Sequence, residues 1–272
     1  MMSIWQYNDA SRDINSEHLT IPNCIFCGNS LKLMHSRDGD GTLDWGGYAG
    51  SYDFCICPCC GWWRVIKEEE HLMADSDRGD RLLTISKGAI GSLSELNLDD
   101  IETPLNEVKF FLVARYEKRF AVNPQLFEET VASVFGGLGY DSIATAYTCD
   151  GGIDIILRKE NDRTIGVQVK RWANKIKVEQ IRALAGALVL GGHTKGIFVT
   201  TSDFQSGAKI AAEKFARLGY PIELMDAKTF YDALQISQIN NWNDTQFENY
   251  ERYLKSLHLK TIKETSEFVD WD

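Results

Sequence analysis

Asp150-Gly-Gly-Ile-Asp154-Ile-Ile-Leu157 and, a few polar residues on, Thr164-Ile-Gly-Val-Gln168-Val-Lys170-Arg171 form the stretch on which the fold of this 272-residue chain turns. Tyr147 to Leu157 reads as a strand with a glycine-rich bend, and Thr164 to Lys170 as its hairpin partner. In a strand alternate residues share a face, so Val167 and Val169 are expected to point into a core while Gln168 and Lys170 point the other way. If the two strands pair, Asp154 comes to lie beside Gln168 and Lys170. A hard oxygen anion, a neutral oxygen ligand and an ammonium then converge.

Working outward, Leu126, Phe127, Val131, Val134, Phe135 and Leu138 mark one face of a helix after Asn123-Pro124, with Gly139 as its stop. On the other side, Lys177 to Leu190 is an Ala/Leu-rich helix and Lys195 to Thr201 a short buried strand. Ser206 to Leu218 is a further helix, and Ile222 to Met225 a further strand. This alternation predicts an α/β sandwich around a mixed sheet. Upstream, Pro104 opens a helical stripe through Val108, Phe111, Leu112 and Tyr116.

A carboxylate that holds a divalent cation, plus an ammonium that positions water, is the set that phosphodiester hydrolysis requires. Plainer readings stand beside this one. Asp154 can be a turn residue, and Lys170 a solvated strand lysine. Glu128 and Glu129 sit near a helix N-terminus, where acids favour the macrodipole whatever their chemistry. Asp150 reads as structural. Thr200, Thr201 and Ser202 satisfy backbone groups or touch a substrate.

The residues that carry this pattern resemble the Mrr-like branch of the PD-(D/E)xK nuclease superfamily. The matches run in order over residues 121–235. They are Pro124 to Phe127-Glu128, Leu138-Gly139-Tyr140, Asp150-Gly-Gly-Ile-Asp154, Gln168-Val-Lys170-Arg171, and Gly196-Ile-Phe-Val-Thr-Thr-Ser202 with Ala208 following. The resemblance implies a restriction-endonuclease-like αβα sandwich and a Mg²⁺ (or Mn²⁺) ion at the active site. It implies Asp154 as principal metal ligand, Gln168 in the second ligand position and Lys170 positioning the attacking water. Glu128 matches the family's additional acidic residue. Gln168 stands where Glu or Asp is commoner, so Glu128 gains weight as a ligand. DNA is the implied partner. Cutting both strands calls for two sites, which makes a homodimer the matching expectation, with Phe247 to Leu257 as its candidate interface.

The net charge is −10, which by itself argues against a polyanion partner. Its distribution matters more. Residues 158–217 hold twelve Lys/Arg against five Asp/Glu, whereas residues 1–120 carry −7 and residues 231–272 carry −4. Arg171, Lys175 and Lys177 are the candidate phosphate contacts within the basic middle, and binding there should be strongly salt-sensitive. No apolar run is long enough to span a bilayer, and the N-terminus lacks a signal-peptide layout, so a cytoplasmic location is expected.

Six of the seven cysteines fall between Cys24 and Cys60. Cys24-Ile-Phe-Cys27-Gly28 and Cys57-Pro-Cys-Cys60-Gly61 are two C-x-x-C-G knuckles, the pattern of a zinc ribbon with four thiolates around a structural Zn²⁺. Cys24, Cys27, Cys57 and Cys60 are the expected ligands. An exchange with Cys55 or Cys59 stays open. A redox C-x-x-C would need one such motif at a helix start, not two knuckles. Trp45, Tyr48, Tyr52, Trp62 and Trp63 surround the knuckles, either to stack on a partner or to pack the ribbon.

The expected organisation is a polar lead-in (1–20), a β-rich zinc ribbon (21–67), an acidic linker with a helix (68–120), the nuclease-like domain (121–235), and a C-terminal helix with an acidic tail (236–272). The expected activity is metal-dependent DNA cleavage in defence against foreign DNA. A nucleic-acid-binding module without catalysis, and a zinc-ribbon adaptor for protein contact, are the alternatives.

Overall fold

The computed structural model describes residues 4–7, 21–38, 48–73, 80–145, 151–159, 163–243, 252 and 256–268. Eleven strands are described: β1 Trp5–Tyr7, β2 Lys32–Asp38, β3 Tyr48–Ile56, β4 Trp63–Met73, β5 Arg81–Leu93, β6 Asp141–Ala144, β7 Ile155–Lys159, β8 Arg163–Lys170, β9 Lys195–Thr200, β10 Ile222–Met225 and β11 Lys260–Phe268. The helices are α1 Leu105–Ala114, α2 Pro124–Gly137, α3 Val178–Gly191, α4 Ser206–Arg217 and α5 Ala227–Asn240, with a 3₁₀ turn at Tyr116–Ala121. They fall into two compact units, residues 1–95 with 243–272, and residues 96–242.

The first unit is an antiparallel sheet in the order β1-β5-β4-β3-β2, with β11 also on β5. One side of β5 pairs with β4. Its other side is shared by β1 at Gly91–Leu93 and β11 at Arg81–Gly88. Residues 260–268 thus pair with a strand laid down before residue 95. This corrects two expectations. Residues 68–73 continue β4 and residues 81–93 are β5, so these are strands and not a linker, and the boundary placed at 67 cuts β4. Residues 260–268 are a strand and not a loose tail. The run Glu68-Glu69-Glu70 misleads because charge is compatible with a strand when cross-strand partners meet it. Glu69 is buried, but Lys87 at 2.6 Å and Lys67 at 3.2 Å surround it. Burial works against its charge, yet the two lysines hold its carboxyl below the usual range.

Phe54, Ile56, Trp62, Trp63 and Val65 form the interior of this unit. The Trp62 indole N–H donates to the Gly91 carbonyl at 3.0 Å, and that of Trp5 to the Cys60 carbonyl at 2.5 Å. Tyr52, Trp62 and Trp63 are therefore core side chains, and stacking on a partner is not their role. Trp45 lies outside the described residues.

The second unit is a five-stranded mixed sheet in the order β10-β9-β8-β7-β6, parallel from β10 to β8 and antiparallel from β8 to β6. Helices flank it, giving the expected α/β sandwich. Ile181, Leu184, Ala185 and Leu188 of α3 join Ala208, Ala211 and Ala212 of α4 over Ile153, Phe198 and Ile222. Gly166 and Gly196 are register partners on β8 and β9. A Cβ on either would meet a Leu188 methyl, at 2.8 Å and 2.5 Å respectively. The pair of glycines makes the dent that lets α3 approach the sheet. In a second layer Phe127 of α2 packs edge-on to Phe230 of α5 at 5.4 Å. The helix α5 was not expected, and a boundary at 235 falls inside it. β6 was also unforeseen. The helix expected at Phe247 to Leu257 falls almost wholly outside the described residues.

Candidate active site and cysteine cluster

The hairpin of β7 and β8 pairs Ile155 with Val167, which sets Asp154 just ahead of β7 and level with the end of β8. Its own amide donates to the Val167 carbonyl at 2.8 Å. Its carboxylate Oδ2 accepts the amide N–H of Val169 at 2.6 Å, between Gln168 and Lys170 in sequence. Thr145 fixes the same turn from the β6 side. Its hydroxyl donates to the carbonyls of Ile153 at 2.7 Å and Asp154 at 3.1 Å, and its amide to that of Asp154 at 2.9 Å. Thr145 was missed from sequence, since nothing in a lone Thr marks it as a clamp on a residue nine positions away.

Gln168 is 8% exposed, and its Oε1 is buried with no hydrogen-bond partner among the described residues. A buried amide oxygen left unpaired costs about 1–3 kcal/mol. That is the behaviour of an atom placed for a ligand that the protein itself does not supply. Lys170, two residues on and so on the same strand face, is half-buried, with no carboxylate within ion-pair distance among the described residues. Glu128 reaches the site from the second turn of α2. The helix is started by Asn123, whose side chain accepts the Gln125 N–H at 3.0 Å, with Pro124 at the first position. Burial first, and then the negative charge of Asp154, push the Glu128 carboxyl up to about 7, while Lys170 works in the opposite direction. Glu128 thus feels the charges of both Asp154 and Lys170. Glu129 is different: its carboxylate accepts from Gln125 on its own helix at 3.1 Å.

Two carboxylates and an unpartnered amide oxygen make an all-oxygen donor set of the kind Mg²⁺ and Mn²⁺ take. Asp154, Gln168 and Glu128 would hold the ion. Of the three candidate phosphate contacts, Arg171 donates instead to the Phe120 carbonyl and spends part of its guanidinium on the fold. Lys175 is exposed and pairs with Asp203 at 2.6 Å, and Lys177 is exposed. Asp150 lies outside the described residues.

In the first unit the sulfurs of Cys24, Cys27, Cys57 and Cys60 lie within 4.8 Å of one another. Cys24 and Cys60 are 3.4 Å apart, Cys27 and Cys57 3.4 Å, and Cys27 and Cys60 3.9 Å. Sulfurs at ~2.3 Å from a tetrahedral zinc stand about 3.8 Å from each other. The two knuckles repeat one hydrogen-bond pattern. Gly28 N–H donates to the Cys24 carbonyl at 2.9 Å and Gly61 N–H to that of Cys57 at 2.8 Å. Both glycines have φ near 75° (74° and 75°), a conformation that a Cβ disfavours. This donor set fits Zn²⁺. Cys55 is buried on β3 outside the four, and burial raises its thiol.

Residues 120–234 match a family model described as restriction endonuclease. Over 104 residues the chain is 38% identical to the type IV methyl-directed restriction enzyme EcoKMrr of Escherichia coli K12, an alignment covering 36% of this chain and 34% of that enzyme. The chain therefore spans about a third of the length of the relative it matches. The family-model match falls on the unit that holds Asp154, Gln168 and Lys170, and residues 120–234 are accordingly similar to a restriction-endonuclease domain.

Proposed function

We propose that this chain is a metal-dependent endonuclease that hydrolyses phosphodiester bonds of DNA in defence against foreign DNA. The observation that carries the reading is the orphaned, buried Gln168 Oε1, on the strand whose Val169 amide binds Asp154 and which carries Lys170, with Glu128 close enough to feel the charges of Asp154 and Lys170. Asp154 keeps one carboxylate oxygen on the Val169 amide, which holds the other in a fixed direction. Gln168 and Glu128 complete the oxygen donors. Lys170, with no ion-pair partner among the described residues, would hold a phosphate oxygen and the attacking water. A bound Mg²⁺ would polarise the phosphate and stabilise charge developing on its oxygens. The four-cysteine cluster would hold a structural Zn²⁺ with no open position for substrate.

The matched relative is named as methyl-directed, and methylated DNA is accordingly the first substrate to try. Supercoiled plasmids with and without base methylation, incubated with wild type and Lys170→Ala and followed by end mapping, test this reading. Cuts made by wild type and lost in Lys170→Ala support it. Retention of bound but uncut DNA by wild type across both plasmids would instead favour a binding module without catalysis.

A further inference from the structure

Beyond Lys170 the chain leaves β8 through Arg171-Trp172-Ala173-Asn174-Lys175. Residues 172–175 are all exposed, yet their backbone is tightly held. Three consecutive hydroxyls at the end of β9 meet alternate carbonyls. Thr200 donates to Lys170 at 3.0 Å, Thr201 to Trp172 at 2.9 Å, and Ser202 to Asn174 at 2.8 Å. The Ile176 amide then donates to the Asp203 carbonyl at 2.8 Å, and that of Gln205 to Ile176 at 2.9 Å. Thr200 and Thr201 are fully buried, while the Ser202 rung is exposed. These hydroxyls serve the backbone of one particular loop.

What this loop presents is Trp172, 43% exposed. Among the described residues no ring stacks on the indole and no acceptor meets its Nε1–H. A single exposed apolar side chain is ordinary on a protein surface. An unpaired indole on a clamped loop, two residues beyond the lysine of the candidate site, is not. Cations flank it in sequence: Arg171, Lys175 and Lys177. Lys177 is exposed, and Lys175 at 2.6 Å shares Asp203 with Lys209 at 3.3 Å. That leaves two positive charges on one carboxylate.

We propose that Trp172 is a nucleic-acid contact, its indole face packing on a base of the strand whose phosphate enters the site of Asp154, Gln168 and Lys170. This rests on the nuclease reading above. Every base offers a π-face, so such stacking tolerates sequence, while nearby lysines take the phosphates. The clamp explains how an exposed residue keeps the orientation that stacking needs without a packed neighbour.

The test is fluorescence anisotropy with the full chain carrying Asp154→Asn to suppress cleavage, in Mg²⁺, on labelled duplex and single-stranded DNA of the same sequence. Adding Trp172→Ala should weaken binding to at least one of the two by about tenfold, the scale of losing one base–aromatic stack. Trp172→Phe should restore affinity to within about threefold, and the salt dependence should not change in slope because no charge is removed. Melting temperatures of the variants should match the parent. Equal binding by the parent and Trp172→Ala would overturn the inference and leave the nuclease reading standing. A parent that binds neither DNA would overturn the nuclease reading, and this inference with it.

Discussion

Asp154 and Gln168 illustrate how much of the site a strand period alone can locate. Alternation put Gln168 and Lys170 on one face, and the paired motif put Asp154 beside them. The Val169 N–H on Asp154 Oδ2 agrees with that placement. What sequence could not show was the state of each atom. Nothing in the letters says that Gln168 Oε1 lacks a partner, or that burial and Asp154 raise Glu128. The latter has a sign that can be checked. A carboxyl whose folded pKa is about 7 binds more protons in the folded than in the unfolded chain between the ordinary carboxylate range and neutrality. Stability therefore falls as pH rises through that window. Glu128→Gln removes the ionisable group. In EDTA its melting temperature should exceed that of wild type at pH 8 and match it near pH 4. A variant less stable than wild type at pH 8 would contradict this.

At the scale of elements, the helices and central strands were legible because their apolar periods are strong and their ends carry Pro, Asn or Gly. The strand Ile222 to Met225 was read with its observed limits. β4 and β5 were not, because an antiparallel strand with ion pairs across it breaks the simple apolar alternation. β6 is only four residues long and has no fully buried position. α5 was hidden by mixed polarity, although Phe230 and Leu234 are fully buried. Two helices pack on the sheet that carries the candidate site. α2 depends on its cap, and Asn123→Ala should cost about 1 kcal/mol, seen as a lower denaturant midpoint at unchanged slope. α3 depends on the Gly166–Gly196 dent. Gly196→Val should destabilise by about 1–3 kcal/mol through overpacking against Leu188, and an unchanged midpoint would contradict the close approach.

At the scale of the whole molecule, the first unit is discontinuous in sequence, because β11 pairs with a strand laid down before residue 95. Local patterns carry no trace of such a long-range pairing, which is why a linker and a tail were expected in its place. The cysteine knuckles were legible because thiolate spacing is a local constraint. Full-length protein should carry about one zinc per chain, measured by metal analysis. Cys57→Ser should lose that zinc and lower the melting temperature, while zinc retained in the variant would reassign the cluster. No helix among the described residues is long and apolar enough to cross a membrane. The measurement that bears most directly on the site is cleavage of supercoiled plasmid under single-turnover conditions across a Mg²⁺ titration. The expected result is a rate that saturates with Mg²⁺, vanishes in EDTA, and falls by about 10³-fold or more in Asp154→Asn, as losing several kcal/mol of metal-borne stabilisation requires. Cleavage that survives EDTA, or is unchanged in Asp154→Asn, would contradict it.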